Sequence, residues 1–336
     1  MTVRARRFLV RVAVSSFTLL ILVFVVDVDE VVERLAGLDE EWIAVGLAVS
    51  IGQVVASAWR WRYTARRLGV ALPVRDAIEE YYLGTFLNQV LPGGVLGDVS
   101  RAWRHARSTG PAPASGEGRA RRLRSVHAVI LERASGQAVM TLAAFFAGAV
   151  LLAPRTETTA SWLPDHPLTD VPLVVSLPAA LATVIFLGWL LGLLLRRAMR
   201  MPALDRFLED ARTALLGSAL PVQAGLSLLI VGSYVAVFVA AARAAGVETP
   251  SSALLPLVPP LLVTMLVPVS VAGWGIREGA AALLWSSVGL TASEGVAVSV
   301  TYGLVVLVSS LPGAAVLLLI LRSERGPDRR GGRPPD

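Results

Sequence analysis

Long apolar runs separated by short polar segments dominate the sequence. Six runs approach or exceed the roughly 20 residues that a helix needs to cross a bilayer, and they lie at 8–26, 42–59, 126–153, 171–195, 222–242 and 294–321. Two further apolar stretches, 77–97 and 251–290, are interrupted by prolines, glycines and polar residues. The pattern predicts an all-α fold: a polytopic membrane helix bundle with about six full spans and two broken hairpins.

The composition agrees with this fold class and excludes several kinds of chemistry. The 336 residues are 54% hydrophobic and 17% charged, whereas a soluble domain is about one quarter charged. Cysteine is absent and the three histidines are scattered, so neither thiol chemistry nor a metal site is indicated. We therefore expect a single integral membrane domain over 1–336 with no cofactor, no metal and no catalytic constellation.

The arginines indicate how the chain is oriented. The chain has no lysine, and 25 of its arginines lie in the segments 1–7, 60–76, 98–125, 196–216 and 322–336. The segments 27–41, 154–170 and 243–252 carry one arginine each. Positive charge is retained on the cytoplasmic side, so we predict a multi-pass protein of the inner (cytoplasmic) membrane. The basic termini 1–7 and 322–336 and a flexible basic loop at 107–124 would face the cytoplasm. The net charge of +6 is thus a topology signal, and no nucleic-acid partner is expected.

This orientation requires that both broken stretches return to the side from which they enter. Residues 77–97 would enter from the cytoplasm, and residues 251–290 would enter from the outer face. Their segments 85–94 and 264–273 also match at 4 of 10 positions. Interrupted hydrophobic segments in corresponding positions of two halves are typical of inverted-repeat transporters with a site near the midplane. We therefore expect two re-entrant hairpins in an inverted-repeat arrangement.

Two acid–base doublets lie inside the predicted membrane segments. Glu132 and Arg133 are adjacent in the third span, and Arg277 and Glu278 follow the glycines of the second hairpin. A charged side chain at the bilayer centre costs at least about 2.5–3.5 kcal/mol and normally faces the bundle interior or a cavity. Two interpretations stay open. The doublets either pair across the bundle and lock helices, or they contact the substrate and gate its passage.

The first hairpin supplies further candidate binding residues. Asn88 is polar within an apolar run, and Gly93 and Gly94 allow close approach of the backbone to a ligand, which suits an anion. Asp98 and Arg101 follow at a spacing that places them on one helical face. That face could equally be a solvated cytoplasmic surface.

The second hairpin presents its charges among glycines. Gly273, Gly275 and Gly279 surround the doublet in the sequence, and we expect them to leave space beside Arg277. A guanidinium stays charged and can bind a phosphate with two parallel hydrogen bonds. The expectation is that Arg277 binds the anionic part of a lipid headgroup while Glu278 sets its orientation.

Together these motifs resemble the lysylphosphatidylglycerol synthase transmembrane region, also called the flippase-like membrane protein family. The resemblance rests on residues 84–94 with Gly97 and Arg101, on Ile130-Leu-Glu-Arg133, and on residues 268–279. It implies an inner-membrane lipid translocator. Fused members of the family are thought to move aminoacylated phosphatidylglycerol between leaflets, and other relatives accompany lipid-linked glycan assembly. Members often carry arginine where this chain has Gly94, so a phosphate role would fall on Arg101 or Arg104.

The favoured function is therefore a flippase-like transporter that moves a phospholipid or a lipid-linked headgroup between leaflets. The alternative is a membrane-embedded accessory or transferase subunit in lipid modification or lipid-linked glycan assembly. The longest interior loop, 98–125, is too short to fold into a catalytic domain, which favours the transporter. The expected partners are membrane lipids with an anionic headgroup or a lipid phosphate. A homo-oligomer or a partner enzyme stays open, and the sequence does not name the lipid.

Overall fold

The computed structural model describes residues 3–91, 96–108, 116–152, 202–265 and 273–324. The span predicted at 171–195 and the turn glycines Gly93 and Gly94 lie outside these residues. The described residues form helices and no strand. Besides a short 3-10 helix at Gly217–Ala219, the elements are α1 Val3–Val25, α2 Val28–Ala36, α3 Glu40–Arg67, α4 Val74–Val90, α5 Leu96–Ser108, α6 Gly116–Leu152, α7 Pro202–Leu215, α8 Leu220–Ala244, α9 Ser251–Leu254, α10 Val258–Thr264, α11 Ile276–Ser287, α12 Ala292–Ser310 and α13 Pro312–Glu324.

Four stretches of the described chain are long and apolar enough to cross a membrane. They are Glu40–Arg67, Gly116–Leu151, Gly217–Ala244 and Ala292–Ser323, and Ser15–Val25 adds a shorter apolar helix. The predicted polytopic helical membrane fold is confirmed. The last span is interrupted at Leu311, where α12 ends and α13 begins at Pro312, because proline lacks the N–H that would continue the helical ladder.

Two helices extend further into the arginine-rich segments than the apolar runs indicate. The helix α3 continues to Arg67, and α6 already starts at Gly116. Residues 116–124 are therefore helical, and residues 107 and 108 belong to α5, where the sequence predicted a flexible loop over 107–124. The extension of α3 matters for the site, because it places Arg60 on a regular helix face.

The acidic segment between α1 and α3 starts two helices. The side chain of Asp27 accepts hydrogen bonds from the N–H groups of Asp29 and Glu30, and Asp39 does the same for Glu41 and Trp42. Such caps satisfy backbone donors that have no partner within the helix. The carboxylates of this segment thus set where α2 and α3 begin.

The described residues form three buried apolar clusters, of which the smallest contains Leu22, Ala282 and Val296. The largest is built around Phe238, Trp285 and Tyr302. The second contains Trp61 and Leu131 and receives the apolar face of α7. The helix α7 therefore packs its apolar side on α3 and α6.

The first broken stretch forms a helical hairpin of α4 and α5. The two helices cross at Gly84 and Gly97, which approach each other so closely that a Cβ on Gly97 would overlap the carbonyl group of Gly84. The side-chain oxygen of Asn88 accepts the N–H of Gly97 at 2.8 Å. A glycine is required at position 97 because the opposing atoms belong to the backbone and cannot rotate away.

We expect Gly97→Ala to lower the melting temperature of the purified protein in detergent, because the added methyl group forces α4 and α5 apart. The matched control is Gly225→Ala in α8, where an added Cβ meets nothing within 4 Å. Alanine favours a helix over glycine by about 1 kcal/mol, so the control should melt at or above the wild-type temperature. Equal melting temperatures of the two variants would contradict the close crossing.

The second broken stretch is divided into short helices. The helix α10 is only 7 residues long and carries prolines in its first turn, and α11 begins after Gly275. These pieces replace the single long helix that the apolar composition of 251–290 could otherwise form. Their relation to the first hairpin as an inverted repeat stays a prediction.

Candidate functional site

Glu132 of α6 lies at the centre of a buried cluster to which three other helices contribute. Its Oε1 accepts from the Nη2 of Arg60 at 2.6 Å, and its Oε2 accepts from the Nη2 of Arg101 at 3.0 Å. The hydroxyl of Tyr81 also donates to Oε1 at 3.3 Å. The side chains of Glu132 and Arg101 are 0% and 1% exposed. A carboxylate at this depth is therefore held by two guanidinium groups.

Asp98 of α5 is the second carboxylate of the cluster. Its Oδ2 accepts from the Nε of Arg133 at 2.8 Å and lies 2.6 Å from the Nη2 of Arg133. Its Oδ1 accepts from the Nη2 of Arg101 at 3.1 Å. The side-chain amide of Asn88 donates to Oδ2 at 3.1 Å. The structure thus brings together five predicted site residues, Asn88, Asp98, Arg101, Glu132 and Arg133. We call Arg60, Asp98, Arg101, Glu132 and Arg133 the arginine–carboxylate cluster.

Aromatic rings fix the central guanidinium. The Cζ of Arg101 lies 4.6 Å from the ring centroid of Trp61 and 4.4 Å from that of Tyr81. A guanidinium over an aromatic face is attracted by the ring, most strongly where water is excluded. The solvated-face interpretation is therefore wrong for Arg101. It fits Arg104 better, since Arg104 pairs with Glu80 at 2.7 Å and stays partly exposed.

The charges of the cluster do not balance. Within the described residues three guanidinium groups face two carboxylates, which leaves one positive charge. Arg133 is the cluster member most accessible to solvent, with 35% of its side chain exposed, and its partner Asp98 is 17% exposed. Burying charge without a counterion is costly, so the arrangement is suited to accept an anion at Arg133.

Sequence reasoning missed Arg60 and the aromatic rings around Arg101. Arg60 belongs to the arginine-rich segment 60–76, which lies outside the predicted apolar runs. In the structure Arg60 is buried in α3 and donates to Glu132 and to the hydroxyl of Ser227 at 3.0 Å. Helical periodicity could have found it, because Arg60 lies on the same face as Ser57 and Thr64, which are also buried.

His105 is the last of the three buried residues of α5, after Gly97 and Arg101. The helix α5 is polar and is not one of the four described stretches that could span the membrane. The ring of His105 meets the ring of Trp61 edge to face at 5.2 Å. Burial lowers the pKa of His105 to about 4, and the charge of Arg101 acts in the same direction. The imidazole is therefore neutral in the folded protein at neutral pH.

We expect the protein to lose stability as the pH falls from about 6.5 to about 4. An unfolded histidine has a pKa of about 6.5, so in this window the unfolded state binds a proton that the folded state does not. Unfolding becomes easier by up to about 3 kcal/mol at the acidic end. Melting temperatures across this pH range should fall more steeply for the wild type than for His105→Phe. If the melting temperatures of the wild type and of His105→Phe fall equally over this pH range, His105 is not held in its neutral form by burial.

The second doublet forms a compact, neutral pair. The Nη2 and Nε of Arg277 donate to Oε1 of Glu278 at 2.6 and 3.1 Å. Ser299 binds both partners, accepting from Arg277 at 2.9 Å and donating to Glu278 at 3.1 Å. The other carboxylate oxygen accepts the N–H of Gly275 at 2.7 Å, which closes the first turn of α11. One cation and one anion are thus buried together.

The room for the Arg277 guanidinium comes from a different glycine than expected. A Cβ on Gly303 would overlap the Nη2 of Arg277, so a larger residue at this position of α12 would displace the guanidinium. The rings of Trp274 and Tyr302 lie 5.0 and 5.3 Å from the Arg277 Cζ. These contacts enclose the guanidinium on several sides.

The three glycines near the second doublet serve packing contacts in the structure. A Cβ on Gly273 would lie 2.9 Å from the Cε of Met265, and one on Gly275 would lie 3.1 Å from the carbonyl oxygen of Ser15. Gly279 faces Thr18, which lies in α1 as Ser15 does. The expectation that these glycines leave space beside Arg277 is therefore not met.

The arrangement supports ion pairing and anion binding. No group of three or more acidic or histidine side chains in the described part of the chain could hold a metal ion. The arginine–carboxylate cluster has excess positive charge, whereas the Arg277–Glu278 pair is balanced. Of the predicted site residues, Gly93 and Gly94 lie outside the described residues.

The sequence was compared with protein-family models and with curated proteins. The model described as the lysylphosphatidylglycerol synthase TM region matches residues 8–313. A comparison with curated proteins gives no match. The matched range covers most of the chain and contains both doublets and both broken stretches. The chain therefore belongs to the lysylphosphatidylglycerol synthase transmembrane-region family.

Proposed function

We propose that the protein is a flippase-like transporter that moves an anionic phospholipid, or a lipid-linked headgroup with a phosphate, between leaflets of the cytoplasmic membrane. Membership of the family supports a role in a lipid-related membrane process. The observation that carries the finer proposal is the uncompensated positive charge of the arginine–carboxylate cluster. A phosphodiester brings one negative charge and can accept two parallel hydrogen bonds from a guanidinium.

Arg133 is the proposed first contact for the phosphate. It pairs with Asp98 and is the cluster arginine most accessible to solvent. When a phosphate takes Arg133, Asp98 still keeps its contacts with Arg101 and Asn88. The exchange therefore leaves no bare carboxylate, which would otherwise oppose it. Glu132 holds Arg101 and Arg60 in place during the exchange.

The second doublet is a further proposed contact on the path. Arg277 would have to leave Glu278 before it could bind a phosphate, and Glu278 would keep the hydroxyl of Ser299 and the N–H of Gly275. In this proposal Gly273 and Gly275 shape the turn that precedes α11 and its charge pair, and Gly93 and Gly94 stay predicted contacts outside the described residues. Transport would then pass the lipid phosphate from Arg133 to Arg277.

The proposal is tested by measuring lipid movement in proteoliposomes. The purified protein is reconstituted with traces of labelled phosphatidylglycerol or phosphatidylcholine, and the labelled lipid in each leaflet is followed over time. We expect faster movement of phosphatidylglycerol than of the zwitterionic lipid and no movement of either in empty vesicles. Equal rates for both lipids would overturn recognition by charge. No movement of any lipid in the panel would favour the accessory-subunit alternative.

The proposed orientation can be checked by labelling single cysteines, because the chain has no native cysteine. We expect a cysteine at Ser115 to react with an impermeant reagent from the cytoplasmic side and one at Thr158 to react from outside. The positive-inside rule is the physical basis for both expectations. Reaction of the Thr158 variant from the cytoplasm would remove the argument for hairpins that enter from opposite sides.

A further inference from the structure

The outer face of α3 carries a row of side chains that changes from apolar to aromatic to basic. Residues four apart lie above one another on a helix, and the row consists of Ile51, Val55, Trp59, Tyr63 and Arg67. The first three are 49%, 42% and 46% exposed. At 1.5 Å per residue the row is about 24 Å long, close to the thickness of one bilayer leaflet with its headgroups.

The basic end of this row opens into a surface pocket. Its volume is about 440 Å³, and the described residues that line it are Trp59, Arg62, Tyr63, Arg66 and Arg67. They include three arginines and no carboxylate. The rings of Trp59 and Tyr63 are stacked with centroids 6.2 Å apart. Aromatic rings of this kind are enriched at the level of lipid headgroups.

Two of the arginines are held in place by backbone carbonyl groups. The Nε of Arg62 donates to Leu72 at 3.1 Å, and the Nε of Arg67 donates to Thr213 of α7 at 3.2 Å. Each bond orients a guanidinium while its terminal nitrogens keep their donors. Arg66 forms no ion pair within the described residues. Preorganised donors reduce the entropy lost on binding, so the pocket is suited to a phosphate.

The row and the arginine–carboxylate cluster lie on different faces of α3. Trp59, Arg66 and Arg67 are exposed, whereas Arg60 and Trp61 are buried. The helix itself therefore separates the outer pocket from the cluster. A molecule bound in the outer pocket is not the one proposed to be transported.

We propose that the outer face of α3 binds one anionic glycerophospholipid as a resident lipid. The phosphate contacts Arg62, Arg66 and Arg67, and the ester region lies against Trp59 and Tyr63. One acyl chain follows Val55 and Ile51. Because Arg67 also holds α7, the bound lipid stabilises the contact between α3 and α7.

The test is a titration of the detergent-purified protein, read by native mass spectrometry and by melting temperature. Phosphatidylglycerol, phosphatidylcholine and inorganic phosphate are compared in the Arg133→Gln background, which removes the proposed first phosphate contact of the transport path. We expect phosphatidylglycerol to bind and to raise the melting temperature, with much weaker effects of the other two. An equal effect of inorganic phosphate would show a free-anion site and overturn the lipid proposal.

Two matched variants decide whether the pocket is responsible. Arg66→Gln should weaken phosphatidylglycerol binding roughly fivefold, the effect of one arginine near an anionic lipid surface. Arg322→Gln removes another exposed arginine, at the end of α13, and should leave binding unchanged. Trp59→Ala should weaken binding through the loss of the aromatic contact. Equal effects of Arg66→Gln and Arg322→Gln would overturn the proposal.

Discussion

Glu132→Gln should lower the free energy of unfolding by about 3–5 kcal/mol, the usual cost of removing one partner from a buried ion pair. Glutamine keeps the shape of the side chain but removes the charge that two guanidinium groups share. Arg60 would lose its 2.6 Å ion pair, and Arg101 would keep only Asp98 as a carboxylate partner. We expect a much lower melting temperature in detergent, together with a lower yield of folded protein.

The matched control for this prediction is Glu80→Gln. Glu80 also pairs with an arginine, but the pair is partly exposed, with 17% of Glu80 and 31% of Arg104 accessible. Exposed pairs contribute only about 0–1 kcal/mol, so the control should melt near the wild-type temperature. An unchanged melting temperature of Glu132→Gln would contradict the central position of this carboxylate.

Transport measurements on the same variant distinguish the two roles that the sequence left open. If Glu132 only locks the helices together, transport should fall in proportion to the loss of folded protein. If it also holds Arg101 for a phosphate, transport per folded molecule should fall as well. We expect the second result, because Arg101 contacts both carboxylates of the cluster.

The sequence predicts much of this fold and part of the site for identifiable reasons. Apolar runs of spanning length identify the helices, since the bilayer core requires about 20 apolar residues. Charged doublets within such runs stand out because they are expensive there. Asn88, Asp98 and Arg101 follow from the motif and from helical spacing. In each of these cases the sequence feature that allows the prediction lies within a single helix or a single turn.

The partners of the charges could not be predicted in the same way. Glu132 and Arg133 are adjacent, yet neighbouring helical residues point about 100° apart, and the two side chains meet different partners. Glu132 pairs with Arg60 from 72 positions earlier, whereas Arg277 pairs with its own neighbour Glu278. Two doublets of the same composition but opposite order thus form different sites, because tertiary packing decides which side chain reaches which charge.

Arg133→Gln is expected to reduce transport of the anionic lipid roughly ten- to hundredfold while the protein stays folded. Hydrogen bonds to charged groups are worth about 1.5–3 kcal/mol, and the substitution also removes the excess charge of the cluster. Folding should persist because Asp98 retains Arg101 and Asn88. The measurement is phosphatidylglycerol movement in proteoliposomes at matched protein density, with a melting curve for each variant.

Arg104→Gln provides a closely matched control for this prediction. Arg104 and Glu80 are 31% and 17% exposed, and Arg133 and Asp98 are 35% and 17% exposed. Both substitutions therefore remove one arginine from a pair of similar accessibility, but Arg104 belongs to a balanced pair outside the cluster. Arg104→Gln should keep most of the transport, and Arg133→Lys should be intermediate because lysine keeps the charge without the forked geometry.

Equal losses in Arg133→Gln and Arg104→Gln would show that only the general positive charge of this region matters. Full transport by Arg133→Gln would exclude the cluster as the phosphate site, and Arg277 would then be the next arginine to test.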